Sequence, residues 1–194
     1  MSAMDRRRTL AVLLSGLAIV TLSASFGCAT VPSADRGRYG APGGLALPIA
    51  ARVALQVDPS MPASQTVEFR DETWRYAEPT LMQQAAEKVF GQIFSEVGAL
   101  QTIRDPWITL QLHGSSSVNP VLGEYYANAS ATLFAGGGTD DEPFGSFPGT
   151  GQAILTTPPA FAPEGIVRAY EAAFRQVVEL LLADPQVLAA LQGD

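Results

Sequence analysis

This 194-residue chain has one cysteine, one histidine and one lysine, at Cys28, His113 and Lys88. A lone cysteine rules out an internal disulfide, and one cysteine with one histidine leaves a zinc site to be built from carboxylates, which zinc does not usually accept alone. With so little lysine and no Lys/Arg cluster after residue 38, nucleic acid is not an expected partner. The balance of 19 acids against 12 bases repels phosphate polyanions. Long apolar runs are also scarce. The longest, Leu10 to Leu22, falls short of the ~20 residues that span a bilayer.

That run has a context. Arg6, Arg7 and Arg8 precede it, and Ser-Ala-Ser-Phe-Gly-Cys follows it to Cys28. A positive start, about a dozen apolar residues and small residues before a cut are the parts of a secretory signal. Gly27-Cys28 resembles the lipobox of bacterial lipoprotein signals, in which the cysteine is diacylated and becomes the mature N-terminus. The resemblance implies a signal peptide over 1–27, removed on export, and lipidation of Cys28. An ordinary signal cut near Ala24 or Ala29 is the other reading of the same residues. Acylation would also take a lone thiol out of an oxidising compartment. In that family an Asp after the cysteine commonly retains the protein at the inner membrane; here Ala29 follows, which implies the outer membrane, facing the periplasm. Without residues 1–27 the chain has 167 residues, 18 acids and 9 bases, a net charge of −9, so membrane contact would rest on the acyl group.

Residues 28–48 carry Pro32, Gly37, Gly40, Pro42, Gly43, Gly44 and Pro48 without periodicity and read as a lipidated flexible tether, of ~25 Å r.m.s. span. Residues 49–194 read as one domain. Arg52 to Val57 alternates like a strand, as does Thr66 to Arg70, and Asp58 to Pro62 supplies a turn that would pair them as a hairpin. Met82, Ala86, Val89, Phe90, Ile93, Phe94 and Val97 recur at helical spacing, with Thr80 and Gln83 as a capping box and Gly98 as the stop. Trp107 to His113, Tyr125 to Phe134 and Gly149 to Thr157 read as three further strands. Ile166 to Leu181 reads as a second helix, and Asp184-Pro185 restarts a short third.

This order predicts an α+β fold: an antiparallel or mixed sheet of four to five strands, with two main helices on one face. The strand at Arg52 to Val57, the helix through Ala86-Glu87-Lys88-Val89-Phe90, the strand trio and the closing Leu181-Leu182-Ala183-Asp184-Pro185-Gln186-Val187-Leu188 together resemble small outer-membrane lipoproteins of the YajG and LptE type. The resemblance implies accessory work in envelope assembly or transport. It transfers no catalytic residue.

Residues with chemical potential are few. His113 lies near Ser115, Ser116 and Ser117, but no Gly-x-Ser-x-Gly elbow frames them, and a hydrogen-bonded strand-end histidine is the reading adopted. Asp140, Asp141 and Glu142 follow three glycines; their spacing does not match a calcium-binding EF-hand loop, and a solvated hairpin tip is expected. Phe144 and Phe147 beside them, with Tyr126, are the candidate partner contacts. The expectation is a non-enzymatic, lipid-anchored protein without cofactor or metal, meeting an envelope protein or a second copy of itself. A ligand module with a cavity lined by Phe90, Phe94, Tyr170 and Phe174 is the alternative. The face opposite the helices, with Thr109 and Gln111, is the expected open surface.

Overall fold

The computed structural model describes residues 47–139, 141–155 and 161–192, all within a unit spanning Tyr39–Asp194. Cys28 and the signal lie outside the described residues. Seven strands and three helices follow in the order β1 (Ile49–Val57), β2 (Gln65–Phe69), β3 (Glu72–Tyr76), α1 (Glu78–Phe90), β4 (Phe94–Ala99), β5 (Ile108–Asn119), β6 (Glu124–Ala135), β7 (Gly145–Ile154), α2 (Pro163–Ala183) and α3 (Pro185–Gln192). The fold is α+β. A mixed five-stranded sheet runs β4-β1-β5-β6-β7, and β2 and β3 form a separate two-stranded sheet.

The expected hairpin of the first two strands does not form. β1 lies parallel to β4 on one side and to β5 on the other, while β2 pairs antiparallel with β3. Burial explains the choice. Val53, Ala54 and Leu55 are covered on both faces, as an inner strand requires, whereas β2 alternates exposed with half-buried residues and suits a two-stranded flap.

The first helix also ends earlier than its periodicity implies. Gly91 caps it after Phe90, and Phe94 and Val97 belong to β4, an edge strand. At the other end Ala77 occupies the cap position without a side-chain hydrogen bond, and Pro79 sets the first turn in place of the Thr80–Gln83 box. Helix α2 matches its apolar stripe: Ile166, Tyr170, Ala173, Phe174, Val177, Val178 and Leu181 are buried.

Both main helices cover the same sheet face. At Gly114 on β5, an added Cβ would stand 2.8 Å from Met82 Sδ on α1 and 2.9 Å from the Tyr170 ring on α2. The α2 backbone comes closer still to β7, where a Cβ on Gly149 or Gly151 would overlap the carbonyl oxygens of Ala173 and Ala169. The inner residues of β6, Tyr125, Ala127, Ala129, Ala131 and Leu133, are accordingly small or buried beneath that helix. The opposite face is covered at one end, where Thr109 is fully buried and donates to the Gly136 carbonyl at 2.7 Å; Gln111 is half-buried. The outer edge of β7 is blunted. Pro148 has no N–H to offer, and the Thr150 N–H is taken by Gln176 Oε1 at 3.1 Å.

Candidate functional site

The residues proposed as partner contacts are not brought together. Phe147 is a β7 residue and is buried in the core, 7 % exposed, because β7 begins at Gly145 and not at Gly149. Its alternation turns Phe147 inward opposite Ala131, so it is withdrawn as a surface contact. Asp141, Glu142 and Phe144 are exposed in the β6–β7 loop; Asp140 lies outside the described residues. Tyr126 is exposed on the open face, seven residues along β6 from Leu133, where that loop leaves the sheet. At ~3.3 Å per residue the two places are ~23 Å apart. Among the described residues no three acidic, histidine or cysteine side chains are grouped to hold a metal ion.

Pro120 and Gly123 suggest a connection over Ser115 to Tyr126, but the segment is mostly strand. β5 and β6 stay in register from Ile108–Ala135 to Asn119–Glu124, and only Pro120 to Gly123 turns. Strand alternation then divides the three serines: Ser116 points inward, while Ser115 and Ser117 are exposed on the open face with Asn128 and Tyr126. His113 Nδ1 meets Asp58 Oδ2 at 3.2 Å on the same face. Asp58 is held below the usual carboxylate range first by the Ser60 backbone N–H, with His113 a smaller contributor. Among the described residues no serine hydroxyl is hydrogen-bonded to His113, so His113 and Asp58 form a surface hydrogen-bonded pair closing the β1 end.

The inner side contains a polar cluster that sequence reasoning missed. Glu78, at the first turn of α1, is fully buried; its Oε1 accepts from Ser116 Oγ at 2.5 Å and from Tyr170 Oη at 2.7 Å. Tyr76 Oη lies 3.0 Å from Ser116 Oγ. Among the described residues Glu78 Oε2 has no hydrogen-bond partner. Burial raises the hydroxyl pKa of both Tyr76 and Tyr170, and for Tyr170 the nearby Glu78 acceptor adds to the rise. The cluster joins β3, α1, β5 and α2 at one point. A Glu at a helix start ordinarily signals a favourable but exposed charge, and only the tertiary fold reveals that this one is enclosed.

Between α1 and α2 a groove of about 270 Å³ opens to solvent, lined by Leu81, Gln84, Lys88, Val167, Arg168 and Glu171. The chain's single lysine closes it, with Lys88 Nζ 2.6 Å from Glu171 Oε1, while Arg175 approaches Glu171 Oε2 at 3.6 Å. The four rings proposed to line an internal cavity instead fill it. Phe90 stacks on Phe94 and meets Phe174 at 5.7 Å, Tyr170 stacks on Phe174, and all four are fully buried.

The chain's exposed apolar side chains are unevenly placed. Val121 and Leu122 on the β5–β6 turn, and Ile154 at the end of β7, are 66 %, 60 % and 56 % exposed. Leu155 N–H bonds the Gly123 carbonyl and Ile154 pairs with Glu124, so these residues meet at one end of the sheet beside Tyr126. The Tyr126 hydroxyl donates to Glu124 Oε2 at 2.9 Å, which raises its pKa, and accepts from Gln152 Nε2 at 3.3 Å. Among the described residues no helix is long and apolar enough to cross a membrane.

No protein-family model matches the chain, and no curated protein matches it. Among solved structures the chain is similar to protein XCC0632 from Xanthomonas campestris, described by the DUF330 family model, with a TM-score of 0.44 and 13% identity over 75% of this chain and 87% of that one. A likeness at that level transfers neither a role nor a residue.

Proposed function

We propose that this chain is a non-enzymatic, lipid-anchored protein of the periplasmic side of the outer membrane, acting through protein contacts as an accessory or assembly factor of an envelope complex. The observation that carries the reading is Gly27-Cys28 at the end of an export signal, with the first described strand beginning only at Ile49. The intervening residues are long enough to separate an acyl anchor from the folded domain by ~25 Å. Supporting it, the helix–sheet interior is filled by side chains, and the exposed apolar side chains include a group at one sheet end, where surface aromatics and aliphatics serve as protein anchors.

The test is mass spectrometry of the N-terminal peptide of protein extracted from membranes, beside Cys28→Ala. A mature N-terminus at an acylated Cys28, with the variant left unprocessed, is the expected result. A soluble, unmodified N-terminus at Ala24 or Ala29 would refute the anchor.

A further inference from the structure

We infer that the end of the open sheet face formed by Tyr126, Val121, Leu122 and Ile154 is a self-association surface, its occupant being a second copy of this chain related by a two-fold axis. The inference deepens the partner reading above by naming the partner.

Charge argues for it. The chain after residue 27 carries 18 acids and 9 bases, so two copies repel each other over most of their surface. The exception is the hairpin region: from Gly114 to Thr139 the only charged residue is Glu124, and from Pro143 to Pro163 there is none. Glu124 itself is engaged by Tyr126 and by Asn119. An acidic chain can therefore bring this face against its own copy with little repulsion, and a patch depleted of charge but holding a tyrosine and aliphatics has the make-up of an interface core.

Geometry narrows the mode. Pro148 and the Gln176 bond to Thr150 blunt the β7 edge beside the patch, so copies meeting here do not join by extending the sheet along β7. The contact is face to face. It also lies at the far end of the sheet from the start of β1: β1 enters opposite the Ile108 end of β5, while Val121 and Leu122 lie past the other end of that twelve-residue strand, ~40 Å along. An isologous arrangement places each copy's Leu122 and Ile154 against the same residues of the other.

The experiment is sedimentation equilibrium of the full processed chain in density-matched detergent, over a concentration series at low and moderate salt. A monomer–dimer equilibrium is expected. Its Kd should fall about threefold or more between 0.01 M and 0.15 M NaCl, because the screening length drops from ~30 Å to ~8 Å and the repulsion between acidic copies weakens with it. Leu122→Glu and Ile154→Glu, both at exposed positions, should raise Kd at least ~tenfold. Leu180→Glu, also exposed but on α2, should leave it unchanged. A chain that stays monomeric at ~100 µM under both salts overturns the inference, as does a dimer indifferent to Leu122→Glu and Ile154→Glu, or one that loosens with salt. The N-terminal mass reports separately on the anchor, since an unacylated chain would give the same series without detergent.

Discussion

Deleting one hydroxyl tests whether the Glu78 cluster ties the two helices to the sheet. Tyr170→Phe keeps the ring that stacks on Phe174 and removes only the donor 2.7 Å from Glu78 Oε1. That carboxyl group is fully buried and its Oε2 has no partner among the described residues, so among them the change leaves it with the Ser116 hydroxyl alone. Leaving a buried polar group short of a partner costs about 1–3 kcal/mol, and we expect about 2 kcal/mol, the middle of that range. For a chain of this size that corresponds to a Tm lowered by about 4–8 °C. Urea unfolding followed by circular dichroism reads the same quantity at constant temperature. The companion measurement is Tyr170→Phe in a Glu78→Leu background, where the hydroxyl has no carboxylate to serve and its deletion should cost at least ~1 kcal/mol less. A loss below about 0.5 kcal/mol in the wild-type background, or equal losses in both, would refute the reasoning.

Gly151→Ala places a methyl group into the Ala169 carbonyl of α2, a clash with backbone that no rotamer relieves; we expect a loss above about 3 kcal/mol, read by urea unfolding, and a smaller loss for Ala153→Gly on the same strand. Alkaline stability follows from Tyr76 and Tyr170, whose pKa values in the fold are raised above the ordinary 10.0. Their contribution is complete below pH 10 and is lost as pH rises beyond it, because the unfolded chain then ionises tyrosines that the fold keeps neutral. Tyrosinate absorbance should therefore lag in the native protein and jump on unfolding; two buried tyrosines titrating freely near pH 10 without unfolding would contradict it. Lys88→Met should cost about 1 kcal/mol in thermal unfolding, because the well-buried Glu171 carboxylate keeps only Arg175 at 3.6 Å, and Glu171→Gln should recover part of that loss. Equal stability of Lys88→Met and wild type would show the pair to be inert.

Periodicity made α2 and the alternation of β6 legible, since each buries one regular stripe against the other. It misled where two elements abut. Ile93, Phe94 and Val97 prolong the helical spacing of α1, yet they are the turn and strand beyond Gly91, and Phe94 reaches the same core from the edge of the sheet by stacking on Phe90. Ser115 to Ser117 looked like a connection because small polar residues are common in loops, but in β5 they place Ser116 under Glu78 and leave the other two in solvent. The parallel pairing of β1 had no local signal at all, for its partners Val97 and Ile108 are distant in sequence. Of the candidate contacts, Tyr126 is exposed while its neighbour Tyr125 is buried, a division that the register of β6 fixes and composition does not. Phe147 was misplaced because the strand start was set four residues late, and Ile154 looked like an ordinary strand residue until its place at the open end of β7 was fixed.

The position of β1 has a consequence for how the chain acquires its shape. Val53 waits for Val97, 44 residues later, and for Ile108, 55 residues later, before either side of the strand is paired. A chain made N-terminus first therefore presents Val53-Ala54-Leu55 with both hydrogen-bonding edges open until 44 further residues have followed, and with one edge open until 55 have. In that interval an apolar strand with unpaired edges stands exposed, and shielding it falls to whatever holds the growing chain.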